Sequence, residues 1–424
     1  MNSWLARAAY STLLRLATPL YLARLWWRGR HEPAYRLAWH ERLGGWRGDA
    51  GPGRLWLHAV SLGETRAATA LIDALRRQRP GLRLLLTHGT ATGREAGAAL
   101  LHPGDAQAWL PYDTPGAVRR FLRAHRPAAG VIMETEVWPN LLHAAREAGV
   151  PLVLANARLS ERSRAKGERL RALLHPALAQ FTRVLAQTDD DARRLRDSGA
   201  QAVQVVGNLK FDVTPPPDLQ ARGRQWHQAL GRPVVLAAST REGEEEPLLR
   251  AWRALGGPRP LLLLVPRHPQ RFDEVDAMVA AAGLKGLRRS GWADTPPAAA
   301  AAADVWLGDS LGEMPLYYAL ADVALLGGSF APLGGQNLIE AAACGCPLVM
   351  GPHTFNFAQA AEGALAAGAA RRVAGIEDGV RSAVDLAGDP SRAVVSQRAR
   401  DFAARHRGAA ERMATGITAL LPPA

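Results

Sequence analysis

The sequence predicts an α/β protein of two doubly wound parallel-sheet domains facing each other across a cleft, preceded by a membrane-associating helix. Three observations carry that prediction. Short apolar runs alternate with helical patterns twice over, from Arg54 to about Gln187 and again from Pro233. A stretch reading Asp-Val-Thr-Pro-Pro-Pro (Asp212–Pro217) separates the two regions, and a proline triplet holds an extended linker. Polar and glycine-rich clusters fall at the C-terminal ends of the apolar runs, where open α/β sheets place their chemistry. The expected division is residues 1–30 as an N-terminal segment, 31–211 as the first domain, 212–217 as the linker, 218–395 as the second domain and 396–424 as a C-terminal helix.

Bulk properties narrow the partners. At 424 residues the chain has room for two or three cores. Its 48% hydrophobic and 21% charged content is that of an ordinary globular protein. A net charge of +13 is not ordinary, and implies nucleic acid, a membrane surface or a phosphorylated substrate as partner. A nucleic-acid binder needs a basic stripe interleaved with aromatics, which the sequence lacks, so no nucleic acid is expected. Of the 52 basic residues only Lys166, Lys210 and Lys285 are lysines. Cys344 and Cys346, separated by one glycine, form neither a disulfide framework nor a metal site.

In chain order, the first segment is strongly apolar (Trp4, Leu5, Leu13, Leu14, Leu16, Leu20, Leu25, Trp26, Trp27), but Arg7, Arg15 and Arg24 interrupt it. It lacks the run of about 20 uncharged apolar residues that a transmembrane helix needs. Pro19 is expected to kink a helix there. Arg24, Arg28 and Arg30 beside Trp26 and Trp27 suit an interfacial anchor on anionic lipid, and an ordinary packed helix is the competing reading. Strands are predicted at Leu55–Ala59, Leu82–Thr87, Gln107–Leu110, Gly130–Met133, Pro151–Ala155 and Val184–Ala186. After the linker they are predicted at Val234–Ala237, Leu261–Val265, Val305–Leu307, Val323–Leu326 and Leu348–Met350. Helical patterns include Thr65–Leu75, Pro115–Ala124, Asn140–Ala148 and Ser391–Leu421.

The chemistry-bearing residues sit at strand ends. Glu64 follows the first strand and a Ser-Leu-Gly turn; it reads either as a functional carboxylate or as a complement to the positive end of the next helix. Glu134 and Glu136 follow the fourth strand, within reach of charge sharing with Arg158 or Lys210. Thr188 with Asp191 three residues on reads as a helix cap in preference to a metal-binding Asp-x-Asp. His102, His125 and His143 have no metal spacing and read as surface. In the second region Pro266 and Arg267 end a strand, and a bidentate Arg there suits phosphate or carboxylate. Gly312 and Glu313 lie in another glycine-bearing strand end. The loop Gly327–Gln336 leads into a helix expected from Asn337 through Ala343, whose first N–H groups favour an anion and whose Glu340 can accept from ribose hydroxyls. Neither a dinucleotide fingerprint nor a Walker loop is present.

Taken together, the motifs HAVSLGE, LPYD, METEVWPN, NARLSERS, GNLKFD, STREGEE, VPRHPQRF, GDSLGEM, GGQNLIEAAA and GPHTFNF resemble those of the bacterial 3-deoxy-D-manno-octulosonic acid (Kdo) transferase family, in order and over nearly the whole chain. The resemblance implies a GT-B fold, two Rossmann-like domains with a cleft between them. It also implies inverting, metal-independent transfer of Kdo from CMP-Kdo to the lipid A precursor, lipid IVA, with no cofactor. Carried over by motif, the general base falls on Glu64, its assisting positions on Glu134 and Lys210, and the CMP contacts on Pro266, Arg267, Leu311, Gly312, Glu313, Asn337, Leu338, Ile339 and Glu340. The family's Thr-rich, Pro-containing turn after the second strand here reads Thr87–His88–Gly89–Thr90–Ala91–Thr92–Gly93. The expected location is the cytoplasmic face of the inner membrane, among anionic lipids. A nucleotide-sugar enzyme of another kind, such as an epimerase, is the alternative within the same fold.

Overall fold

Apolar runs buried on both faces become parallel strands covered by helices on either side. The computed structural model describes residues 2–48 and 51–423, which divide into two units, Met1–Asp212 with Gly408–Ala424, and Val213–Arg407. The first unit holds β1 (Leu55–His58), β2 (Leu84–His88), β3 (Ala106–Trp109), β4 (Ala129–Met133), β5 (Leu152–Ala157), β6 (Arg183–Ala186) and β7 (Val203–Val205). They lie in the order β3-β2-β1-β4-β5-β6-β7, all parallel. The second unit holds β8 (Val234–Thr240), β9 (Leu261–Pro266), β10 (Gly286–Arg288), β11 (Val305–Leu307), β12 (Val323–Leu326), β13 (Leu348–Met350) and β14 (Ala370–Arg372). Their order is β10-β11-β9-β8-β12-β13-β14, again parallel. Each sheet reverses its winding once, between β1 and β4 in the first and between β8 and β12 in the second, and such a switch point opens a crevice at the strand ends.

The eleven predicted strands all form, with ends displaced by no more than three residues. The three not predicted are β7, β10 and β14, each of three residues and each at a sheet edge. With solvent on one side they carry no apolar run to betray them.

Alternation along β1 sends Leu55 and Leu57 to one face of the first sheet, with Leu71, Leu75, Val131, Met413 and Ile417, and Trp56 to the other, with Phe121, Ile132 and Leu141. Met413 and Ile417 belong to the last helix, Ala409–Thr418. The segment expected as one C-terminal helix is therefore two. Arg392–His406 stays with the second unit, Gly408 breaks the helix at φ 80°, and Ala409–Thr418 packs on the first. The Asp212 carboxylate fixes that return by accepting the N–H groups of Gly408 (2.8 Å) and Ala410 (2.6 Å).

The N-terminal helix runs from Ser3 to Arg28 as one element, with Pro19 inside it. Tyr10 donates to Asp113 (3.0 Å) and Ser11 to Asn140 (2.9 Å), tying one face of the helix to the first unit. His125 is also corrected. It is buried with its ring centroid 4.6 Å from those of both Trp46 and Phe121, as part of the core and not the surface.

Candidate active site

In the first unit the switch point brings the ends of β1 and β4 side by side, with Leu55 opposite Ala129 and His58 opposite Ile132. The chain leaves β1 through Ala59–Ser61 and enters the helix Leu62–Gln78. Ser61 caps that helix by accepting the Glu64 N–H (3.4 Å), and the Glu64 carboxylate accepts the Val60 N–H (2.8 Å) and the Ser61 hydroxyl (3.2 Å). Glu64 thus has the structural role its position allowed, reaching back across the helix start to the residue before the cap and to the capping hydroxyl. That role also holds the carboxylate half-buried in one orientation. Burial raises its pKa, and the nearby charge of Glu134 adds to the rise, which strengthens it as a base. The turn after β2 braces the same corner through Gly89 and Thr90, whose N–H groups both reach the Val60 carbonyl at 3.0 Å.

Glu134 sits immediately past β4 with φ 60°, a left-handed backbone that costs a non-glycine residue about 1–2 kcal/mol. Its N–H bonds to the Ala155 carbonyl (2.9 Å), and its buried carboxylate meets Arg158 Nε at 3.2 Å and Lys210 Nζ at 4.0 Å. The charge sharing expected with Arg158 and Lys210 is therefore formed, with both cations. Lys210 is placed by a chain of amides that the sequence did not single out. Asn156, itself at φ 51°, accepts the Leu209 N–H (3.0 Å); Gln187 donates to the Asn156 carbonyl (2.9 Å); Asn208 donates to Gln187 (2.7 Å) and accepts the Lys210 N–H (2.9 Å). Glu136, two residues past Glu134, completes a group of three carboxylates. Burial pushes its pKa up to about 7, with the charges of Glu64 and Glu134 contributing. The capping role of Thr188 and Asp191 is confirmed, with the Asp191 N–H at 3.1 Å from the threonine hydroxyl.

In the second unit the corresponding corner is glycine-rich. Ser239, at φ 56°, bulges β8 against β9, and a Cβ on Gly327 would lie 2.3 Å from the Ser239 carbonyl oxygen, so only glycine fits. The loop after β12 is fastened by Glu244, whose buried carboxylate accepts N–H groups from Arg241 (2.9 Å), Gly328 (2.7 Å), Phe330 (3.1 Å) and Ala331 (3.3 Å). That anchor was not anticipated, because Glu244 lies in a run of acids and only its burial distinguishes it.

The predicted CMP contacts fall into distinct settings. Pro266 ends β9, and Arg267 follows it with an exposed side chain that pairs with nothing among the described residues. Leu311 is 77% exposed and Gly312 has φ 81°. Glu313 is already engaged: one oxygen accepts from Arg222 (3.0 Å) and Arg289 (2.9 Å), the other from Ser310 (2.5 Å) and Tyr317 (3.3 Å). Burial would raise its pKa, but these partners outweigh it and the net shift is downward. The helix expected from Asn337 begins instead at Ile339 and ends at Ala343, because the Asn337 side chain takes the Ile339 N–H (3.0 Å). Leu338 and Ile339 are wholly buried and present only backbone. Glu340 remains half-buried without a hydrogen-bond partner among the described residues, and burial raises its pKa.

Residues 37–213 match the family model described as 3-deoxy-D-manno-octulosonic-acid transferase (kdotransferase). The chain is 49% identical over 423 residues to the 3-deoxy-D-manno-octulosonic acid transferase of Bordetella pertussis, covering 96% of this chain and 98% of that one. It is 36% identical over 362 residues to the protein of the same name from Haemophilus influenzae, 83% of each chain. Among solved structures it resembles Anabaena Alr3699/HepE in complex with UDP, at 15% identity over 86% of this chain and 99% of that one, TM-score 0.54. The UDP-GlcNAc 2-epimerase of Neisseria meningitidis is similar at 14% identity over 87% and 99%, TM-score 0.53. At such low identity these two speak for the fold alone, and they agree with the GT-B class expected from the sequence. Motif order, sheet topology and identity along almost the full length converge, and the chain belongs to the 3-deoxy-D-manno-octulosonic acid (Kdo) transferase family.

Proposed function

We propose that this protein transfers Kdo from CMP-Kdo to lipid IVA in lipopolysaccharide core biosynthesis, with inversion and without a metal ion, at the cytoplasmic face of the inner membrane. The observation that carries the reading is Glu64, a fixed, half-buried carboxylate of raised basicity at the sheet's switch point. Glu64 takes the proton from an acceptor sugar hydroxyl as that oxygen attacks the anomeric carbon of Kdo, and CMP leaves from the opposite side. Glu134 holds Lys210 and Arg158 near the reacting groups, where developing negative charge needs them. In the second unit Arg267, which pairs with nothing among the described residues, is available to the phosphate of CMP, and Glu340 to ribose hydroxyls. The decisive experiment incubates purified protein with CMP-Kdo and lipid IVA and weighs the lipid by mass spectrometry. A mass gain of one or more Kdo residues is expected, and an unmodified acceptor rejects the reading.

The N-terminal helix supports the membrane part. Leu5, Leu13, Leu16, Leu20 and Trp27 recur on one helical face and are 51%, 65%, 73%, 73% and 62% exposed. At about 100° per residue, Arg15 and Arg24 fall on opposite flanks of that stripe. Among the described residues no helix is long and apolar enough to cross a membrane. A helix tied down by Tyr10 and Ser11, with its apolar stripe outward and arginines beside it, suits binding in the plane of an anionic leaflet.

A further inference from the structure

His88 ends β2 beside the turn that delivers Glu64, and the reaction as written gives it no part. Its ring is buried in the space left by Gly97 on the helix Ala91–Ala98, where a Cβ would lie 2.4 Å from His88 Nε2. Nδ1 lies 3.0 Å from the Ala59 carbonyl oxygen. A carbonyl only accepts, so Nδ1 carries the ring proton. Nε2, buried without a hydrogen-bond partner among the described residues, is the bare nitrogen. The Thr65 hydroxyl, which donates to the Ser61 carbonyl at 2.9 Å, stands 3.4 Å from the same Nδ1.

The Ala59 carbonyl and the Val60 N–H are the two ends of one peptide group. That N–H is the donor the Glu64 carboxylate accepts at 2.8 Å. Donation to the carbonyl end polarises the amide and strengthens its N–H end. The next carbonyl, of Val60, is held by the N–H groups of Gly89 and Thr90 at 3.0 Å and by the Thr90 hydroxyl at 3.1 Å. Those three bonds fix the chain beyond Val60, whereas His88 grips the peptide whose N–H reaches Glu64.

We propose that His88 is a positioning residue: its Nδ1–H, acting through the peptide that joins Ala59 to Val60, aims a backbone N–H at Glu64 and so sets the orientation and basicity of that carboxylate. The proposal rests on the reading of Glu64 as the base. The ionisable groups near His88 are His58 at the end of β1, Arg94 on the helix Ala91–Ala98, itself paired with Glu41 at 2.9 Å, and Arg42, which donates to the Gly89 carbonyl at 3.0 Å. Burial, opposed by the bond to Ala59 and reinforced by Arg94, pushes the imidazole down to about 4, so the ring is neutral across the working range. Glu64 is faced by Glu134 and Arg158, which a substitution at His88 leaves in place.

Steady-state transfer by the full-length protein from pH 5.5 to 8 tests this in the wild type, His88→Phe and His88→Asn. Phenylalanine keeps a ring and removes the donor, whereas the asparagine amide nitrogen takes the place of Nδ1. The bond from Val60 favours the ionised form of Glu64, so weakening it raises that pKa and moves the acid limb of kcat upward. His88→Phe should shift the limb up by about 0.5–1 pH unit and lower kcat by about 10–100-fold, with KM for acceptor and donor within about twofold of the wild type. His88→Asn should return the limb and most of the turnover. A phenylalanine variant with the wild-type limb, whatever its Tm, overturns the proposal, as does an asparagine variant no better than phenylalanine. Nitrogen-15 NMR of histidine-labelled wild type, with the His88 signals identified by their loss in His88→Asn, needs neither activity nor a folded phenylalanine variant. A proton on Nδ1 at pH 7 is expected, and one on Nε2 overturns the proposal. Absence of transfer by the wild type would instead overturn the functional reading.

Discussion

Glu64→Gln separates the cap that this carboxylate makes from the base proposed for it. In its structural duty Glu64 accepts the Val60 N–H at 2.8 Å and the Ser61 hydroxyl at 3.2 Å. A glutamine carbonyl keeps the first bond, and its amide can donate to the serine oxygen in place of the second. The cap therefore loses no more than about 1 kcal/mol, at the low end of cap substitutions. In a unit of this size that lowers Tm by roughly 2–4 °C. In the proposed chemical duty the base is lost, because a glutamine cannot take the hydroxyl proton. General-base catalysis is worth about 10²–10⁴, so the barrier rises by about 3–5 kcal/mol.

The assay is Kdo transfer at saturating donor and acceptor, with melting followed in parallel. Turnover should fall at least about 100-fold while Tm moves only slightly. The residual activity should also lose the acid limb of the wild-type pH profile, which lies above the ordinary carboxylate range because burial raises Glu64. Retention of more than about a tenth of the turnover would refute the base assignment. So would a Tm collapse as large as the loss of activity, since the cap alone would then explain it.

Three further outcomes follow from the same structure. Glu244→Gln turns an amide toward N–H groups that now meet a carboxylate, and should destabilise the second unit by about 2–3 kcal/mol, read as a lower urea midpoint; an unchanged midpoint would refute its anchoring role. His125→Phe should stabilise the protein increasingly as pH falls from 6.5 to 4. Burial holds this imidazole down to about 4, so the wild-type fold forfeits up to about 3 kcal/mol across that window while phenylalanine forfeits nothing, and a pH-independent Tm difference would refute this. Replacing both Leu16 and Leu20 by Glu should weaken binding to vesicles containing phosphatidylglycerol by at least about tenfold, with Tm unchanged because both side chains are exposed; equal binding would remove the helix from membrane docking.

What the sequence made legible was decided by burial. Central strands such as Leu55–His58 and Leu261–Pro266 are apolar on both faces and can be read directly, whereas Gly286–Arg288 and Ala370–Arg372 are edges whose arginines resemble any loop. The placements of Glu64 and Glu134 were legible because motif and strand end coincide there, whereas Lys210 lies on the turn Leu209–Phe211, beyond β7. Glu244 was hidden among Glu242, Glu245 and Glu246, since no local pattern says which acid of such a run turns inward to accept backbone N–H groups. Glu245 turns inward too, but to Arg271 at 2.7 Å. The left-handed backbones of Glu134, Asn156 and Ser239 were equally invisible, because they are imposed by neighbouring strands and not by residue type.

The two units answer the same topological problem with opposite use of charge. At each switch point a non-glycine residue stands in the left-handed region, Glu134 just past β4 and Ser239 in the bulge near the end of β8. In the first unit the turn presents carboxylates and draws Arg158 and Lys210 against one of them, a corner suited to accepting a proton. In the second the carboxylate of Glu244 is consumed inward by backbone N–H groups, and Arg267 at the end of β9 pairs with nothing among the described residues. The proposed base fits the first arrangement and the proposed anionic leaving group the second. Moving a carboxylate outward in the second unit, by Arg267→Glu, should therefore damage donor binding far more than the fold.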